Sequence, residues 1–130
     1  MDISPGLEGE VEMEVSRRHL SSTTGNFGAD VLSTHEVVLL LERAAREAIK
    51  DCLPEGMITV GTRVDIQHVA AALLGARVWA HARLEEVRGR KLFFDVEAFD
   101  SFGLLAHGTN EQRMVRRAAF LARIHQRTGI

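Results

Sequence analysis

The chain has 130 residues, 45% of them apolar and 26% charged, with a formal net charge of -2. That length fits one domain able to bury its own core without disulfides or metal, and we read residues 1–130 as a single domain. The charge balance gives no general reason to expect nucleic acid or an anionic membrane as partner, and no run of 18 or more apolar residues suggests a membrane span.

Residues 7–16, LEGEVEMEVS, alternate, with Leu7, Gly9, Val11, Met13 and Val15 on one parity, the period of a half-buried strand. No basic start followed by an apolar run precedes it, so no signal peptide is expected and the chain reads as cytoplasmic. Residues 17–32 are rich in Ser, Thr and Gly and read as a loop. A long helix is expected to start near Ser33, where Ser33 and Glu36 have capping-box spacing. Val37, Val38, Leu41, Ala44, Ala45, Ala48 and Ile49 then recur at helical spacing, and Leu39 and Leu40 widen the apolar face. Pro54 and Gly56 end the helix. Cys52, the only cysteine, falls just beyond this apolar run and reads as a small core residue, which excludes a disulfide framework.

Four strand-like stretches follow. In residues 57–71, Ile58, Val60, Val64, Ile66 and Ala70 share the even parity; in 76–87, Ala76, Val78, Ala80, Ala82 and Leu84 do so. Gly89 suits a hairpin turn before the Phe- and Val-rich stretch 91–99, and Asp100 to Gly103 suit the next turn. Residues 104–118 read as a last strand running into a tail compatible with helix. From Gln112 to the end stand five arginines and no acid, either a solvated basic terminus or a place for a phosphorylated ligand. One strand, one long helix and four consecutive strands point to an α+β fold, an antiparallel sheet around one central helix. A single helix covers one sheet face at most, so a homodimer or a dimer of dimers is expected.

Three side chains stand out as carriers of chemistry. His68 falls on the even parity of its strand, where its neighbours are apolar, so it should point inward. Thr34 opens the helix on its apolar side, and Glu42 lies roughly 80° further round, at the edge of that side. The unremarkable alternatives are a core histidine with a satisfied hydrogen bond, a capping hydroxyl and a solvated carboxylate. Taken together, a hydroxyl, an imidazole and a carboxylate are the parts of acyl-transfer hydrolysis. His35 is a minor alternative base. No HExxH or comparable spacing appears, so no metal is expected. Gly61 and Gly108 lie inside strands, where glycine marks a bulge or a close backbone approach.

The segment VLSTHEVVLLLERA, residues 31–44, resembles the helix of the fluoroacetyl-CoA thioesterase-like family, with a Thr at the helix start and a Glu eight residues on, as Thr34 and Glu42 stand here. The family's next strand has a Gly followed seven residues later by a His, matching Gly61 and His68, and AHGTNEQRMV, residues 106–115, is similar to its Gly-Thr-x-Glu run. The hairpin VRGRKL is also of family type, and the likeness spans roughly residues 10–127. This resemblance implies the hotdog fold and hydrolysis of a small or medium acyl-CoA by Thr34, Glu42 and His68, with coenzyme A entering only as part of the substrate and no other cofactor. It implies either attack by Thr34 with His68 as base, or water activated by Glu42 or His68. Oxyanion donors would come from the helix start, Gly61 and Phe27 would border the substrate, and Arg113, Arg116 and Arg117 are candidates for the CoA phosphates. The chain departs from the fluoroacetyl-specific pattern at Asn110 and Gln112, which replace a His and an Arg. It departs again at Gly28, where an aromatic residue is expected and Phe27 stands one place away.

Two rivals differ in chemistry. A hotdog hydratase or dehydratase would need an Asp–His pair, but Asp65 and His68 lie on opposite strand parities. A non-enzymatic acyl-CoA binding module would retain ligand without turnover.

Overall fold

The computed structural model describes residues 2–130. Strand β1 spans Glu8–Glu14, helix α1 Thr34–Ile49, then β2 Met57–His68, β3 Arg77–Arg88, β4 Lys91–Asp100, β5 Gly103–Arg116 and helix α2 Arg117–Thr128. The five strands form one antiparallel sheet in the order β1-β3-β4-β5-β2, so β1 and β2 are its two edges. This is the hotdog architecture, with the sheet curled around α1.

Residue size explains how the helix fits. The core face of the sheet carries Ala80, Ala82, Ala98 and Ala106, all fully buried, so the helix can lie close to the strands. Gly9 takes this to its limit: a Cβ there would collide with the backbone of α1 at Ala44 and Ala48. Larger residues fill the space beside this contact, Leu40, Leu41 and Ile49 from the helix and Leu84, Leu92 and Phe94 from the sheet. Each such side chain contributes about 1.5–3 kcal/mol when buried. Leu39, expected to widen the buried face of α1, is instead 45% exposed, whereas Leu40 is buried.

The single parity read for 57–71 fails at one point. A bulge between Gly61 and Arg63 inserts Thr62 and changes which residues face the helix. Before the bulge Gly61 lies opposite Gln112 on the core face; after it Val64, Ile66 and His68 lie opposite Asn110, Gly108 and Ala106 on that same face. Ile58 and Val60 therefore point to the other side, where Val60, Val115, Phe120 and Ile124 line an apolar groove under α2. Gly108 is where β2 comes closest to β5, since a Cβ there would strike the backbone of Asp65 and Ile66. β2 ends at His68, three residues short of the expected limit.

The capping box expected at Ser33 does not form. Ser33 is N-cap of α1, but it makes no side-chain capping bond, and its buried hydroxyl finds no partner among the described residues. The loop 17–32 holds two short 3-10 turns, Arg17–His19 and Ser21–Thr24, and buries His19, whose Nδ1 accepts from the Ser16 amide at 2.9 Å. Cys52 is buried, as expected.

Candidate active site

The helix start and the end of β2 meet. Thr34 stands in the first turn of α1, and its Oγ1 lies 2.9 Å from His68 Nδ1. For the hydroxyl to donate, Nδ1 must be the unprotonated nitrogen, which places the imidazole proton on Nε2. His68 Nε2 is buried with no hydrogen-bond partner among the described residues. His68 lines a cleft of about 290 Å³ bordered also by Val31, Leu32, Val69 and Ala70. Because Ser33 leaves the helix uncapped, the first-turn amides keep their N–H groups for a ligand, at the positive end of the helix dipole. His35 is exposed and faces Glu36 at 3.7 Å, away from this pair.

Glu42 is not part of that cluster. It lies two helical turns further along α1, roughly 12 Å by helical rise. Its Oε2 occupies the space that a side chain at Gly61 would fill. Glycine at the start of the bulge is thus what lets a half-buried carboxylate reach the strand. Below it lies a ladder of amides, Asn110 and Gln112, each only 1% exposed. Gln112 Nε2 donates to Asn110 Oδ1 at 2.8 Å, and more weakly to the Glu42 backbone carbonyl at 3.4 Å. Asn110 Nδ2 donates to the Arg63 carbonyl at 3.0 Å, a group that the bulge turns toward it.

The chain therefore brings Thr34 to His68 and Glu42 to Gly61, as two separate clusters. Phe27 is 92% exposed on the loop before α1. Arg113, next to Gln112 in the strand, points to the opposite sheet face, where it edges the groove under α2; Arg116 and Arg117 are exposed where β5 passes into α2. Sequence reasoning singled out His68 as a polar residue at an inward position, and the same rule applied to β5 would have found Asn110 and Gln112. No helix among the described residues is long and apolar enough to cross a membrane.

Comparison with known proteins gives the family. Residues 11–118 match the family model described as fluoroacetyl-CoA-specific thioesterase. The fluoroacetyl-CoA thioesterase of Streptantibioticus cattleyicolor is 32% identical over 113 residues, which cover 85% of this chain and 81% of that one. Among solved structures, the fluoroacetyl-CoA thioesterase FlK superposes with a TM-score of 0.90 at 26% identity, covering 98% of this chain and 99% of that one. A Thermus thermophilus protein described as a thioesterase superfamily member gives 0.85 at 30% identity, over 96% and 95%.

Proposed function

The chain belongs to the fluoroacetyl-CoA-specific thioesterase family and hydrolyses acyl-CoA thioesters, and we propose that it does so with Thr34 as nucleophile, His68 as its base and Glu42 as the activator of water. The observation that carries this reading is the 2.9 Å contact between Thr34 Oγ1 and His68 Nδ1 beside the open cleft. Thr34 Oγ attacks the thioester carbonyl as its proton passes to His68 Nδ1. The developing oxyanion is held by the free amides of the first turn of α1. The C–S bond breaks and CoA leaves as thiolate. Water, losing a proton to Glu42, then attacks the acyl-Thr34 ester; the ester bond breaks, and Thr34 Oγ recovers a proton from the His68 imidazolium. The proton on Glu42 is released and matches the one the CoA thiolate takes up. Beyond coenzyme A carried by the substrate, the scheme requires only water.

The separation of Glu42 from the Thr34–His68 pair is the reason to infer a homodimer. β2 is an edge strand of 12 residues with its outer backbone unpaired, flanked by exposed Val64 and Leu39. Antiparallel pairing of two β2 strands about an axis at Asp65, with Thr62 taken up by the bulge, sets Gly61 of each subunit across from the partner's His68. Residues directly opposite share a sheet face, so Glu42 of the partner subunit comes to the Thr34–His68 pair. Each site then takes its nucleophile and base from one chain and its carboxylate from the other.

A small or medium acyl group is the proposed acyl part of the substrate. Neutral Asn110 and Gln112 in place of the charged pair of the fluoroacetyl-specific pattern favour an ordinary acyl group over a fluorinated one. A buried, unpaired Cys52 suits a reducing compartment, and we assign the protein to the cytoplasm. Thiol release from a panel of acyl-CoAs, with wild type and His68→Ala side by side, tests the reading. Turnover that falls about 10²-fold or more in the variant is expected; equal turnover in both proteins, or none with any substrate, would remove it.

A further inference from the structure

The amide ladder beneath Glu42 has a direction that can be read from its anchor. The Arg63 carbonyl can only accept, so Asn110 presents its NH₂ there and turns its oxygen to Gln112. Asn110 Oδ1 can only accept as well, so Gln112 presents its own NH₂ to it. The remaining atom, Gln112 Oε1, is therefore an acceptor, and it is fully buried with no donor within reach among the described residues. Gln112 lies directly opposite Gly61 in the sheet. Glu42 Oε2 stands within clash distance of the Cβ position of Gly61, so the carboxylate lies on the core face beside the residue directly across from Gln112.

Resting on the reading of Glu42 given above, we propose that Gln112 is a water-positioning residue: Gln112 Oε1 and the Glu42 carboxylate together hold the hydrolytic water. Both groups accept, so a water between them donates one hydrogen to each and keeps its lone pairs free for the acyl carbon. Two to four polar partners are what an ordered buried water requires. In the step itself, the hydrogen facing Glu42 transfers to the carboxylate as the water oxygen bonds to the acyl carbon. The hydrogen on Gln112 stays with the product acid, and the bond from the acyl carbon to Thr34 Oγ breaks. Asn110 acts one place further back, fixing which end of the Gln112 amide faces the water. Nothing in this arrangement needs a charged residue at either position.

Rapid-mixing kinetics on the intact protein test the assignment with Gln112→Met, which keeps the volume and removes the acceptor. The expected result is an undiminished burst of CoA release followed by steady turnover slowed about tenfold or more, with acyl-Thr34 accumulating in the mass spectrum and KM not raised. Burst and steady rate falling together, or neither falling, would overturn it. If the wild type forms no acyl-enzyme, the Thr34 nucleophile is what fails. The Gln112 assignment then requires a tenfold fall in single-turnover hydrolysis at unchanged acyl-CoA affinity, and is overturned without it. A wild type with no turnover removes the reading and the assignment together. Should Gln112→Met fail to fold, Gln112→Asn, whose shorter side chain withdraws the amide from Glu42, serves the same comparison.

Discussion

The two edge strands of the sheet each carry a glycine on the core face, and the two are there for different reasons. A Cβ on Gly9 of β1 would meet helix backbone, at Ala44 and Ala48; a Cβ on Gly61 of β2 would meet only the tip of the Glu42 side chain. Backbone cannot step aside, whereas a carboxylate can. The β1 edge is a packing contact, faced on its outer side by Glu8, Glu10, Glu12 and Glu14, with Glu12 paired to Arg77 at 2.8 Å and Glu8 to His81 at 3.1 Å. Charges of this kind keep an edge from pairing with another chain. The β2 edge has only Arg63 and Asp65, 3.8 Å apart, on its outer side, and on its core side it carries the bulge, His68 and the glycine that admits Glu42. One edge serves packing; the other holds both clusters of the candidate site.

The largest effects should come from the pair at the end of β2. Thr34→Val and His68→Ala should each lower kcat/KM by about 10² or more, measured as thiol release, with thermal stability close to wild type. Next is the open edge itself. Val64→Lys should weaken the proposed dimer, seen by sedimentation, and activity should fall at least about tenfold at concentrations where the protein is monomeric, because on that proposal the Thr34–His68 pair loses the partner's Glu42.

The two glycines separate the edges further. Gly61→Ala should displace Glu42 and reduce kcat about tenfold while Tm moves little. Gly9→Ala should do the reverse, costing about 1–3 kcal/mol of stability by overpacking against the helix and leaving the activity of the folded protein intact. Thermal melts and kinetics on both variants check the pair.

The smallest effect is expected far from either edge glycine, at Glu86. A hydrogen bond from Arg88 holds this partly exposed carboxyl below its ordinary pKa. A lowered folded-state pKa contributes stability above the unfolded value, which is lost as pH falls through the folded one. Wild type and Glu86→Gln should therefore differ barely at neutral pH and not at all in acid, and their turnover should agree.

Much of this was legible in the residues. The alternation in β3 and the 3.6-residue period in α1 placed both elements, because each packs one face against a single layer. His68 was found because an imidazole stood where its strand neighbours are apolar. Gly61 marked a bulge or a close approach, and the bulge lies beside it, but glycine alone does not say that the inserted Thr62 turns Ile58 and Val60 to the other side of the sheet. Ser33 and Glu36 had capping spacing, but spacing does not say where a hydroxyl turns once its residue is buried. The separation of Thr34 from Glu42 follows from eight residues of helical rise, roughly 12 Å; what the residues did not reveal is that His68 meets the start of α1, which leaves Glu42 apart from the pair.

Subunit mixing tests the central claim most directly. Glu42→Ala and His68→Ala chains, each inactive alone, are co-expressed in equal amounts, and thiol release is measured on the purified mixture. If each site joins Thr34 and His68 of one chain to Glu42 of the other, half of the dimers carry one intact site, and activity should return to about a quarter of wild type. No recovery, with mixed dimers demonstrated by mass spectrometry, would place all three residues on one chain and contradict the account.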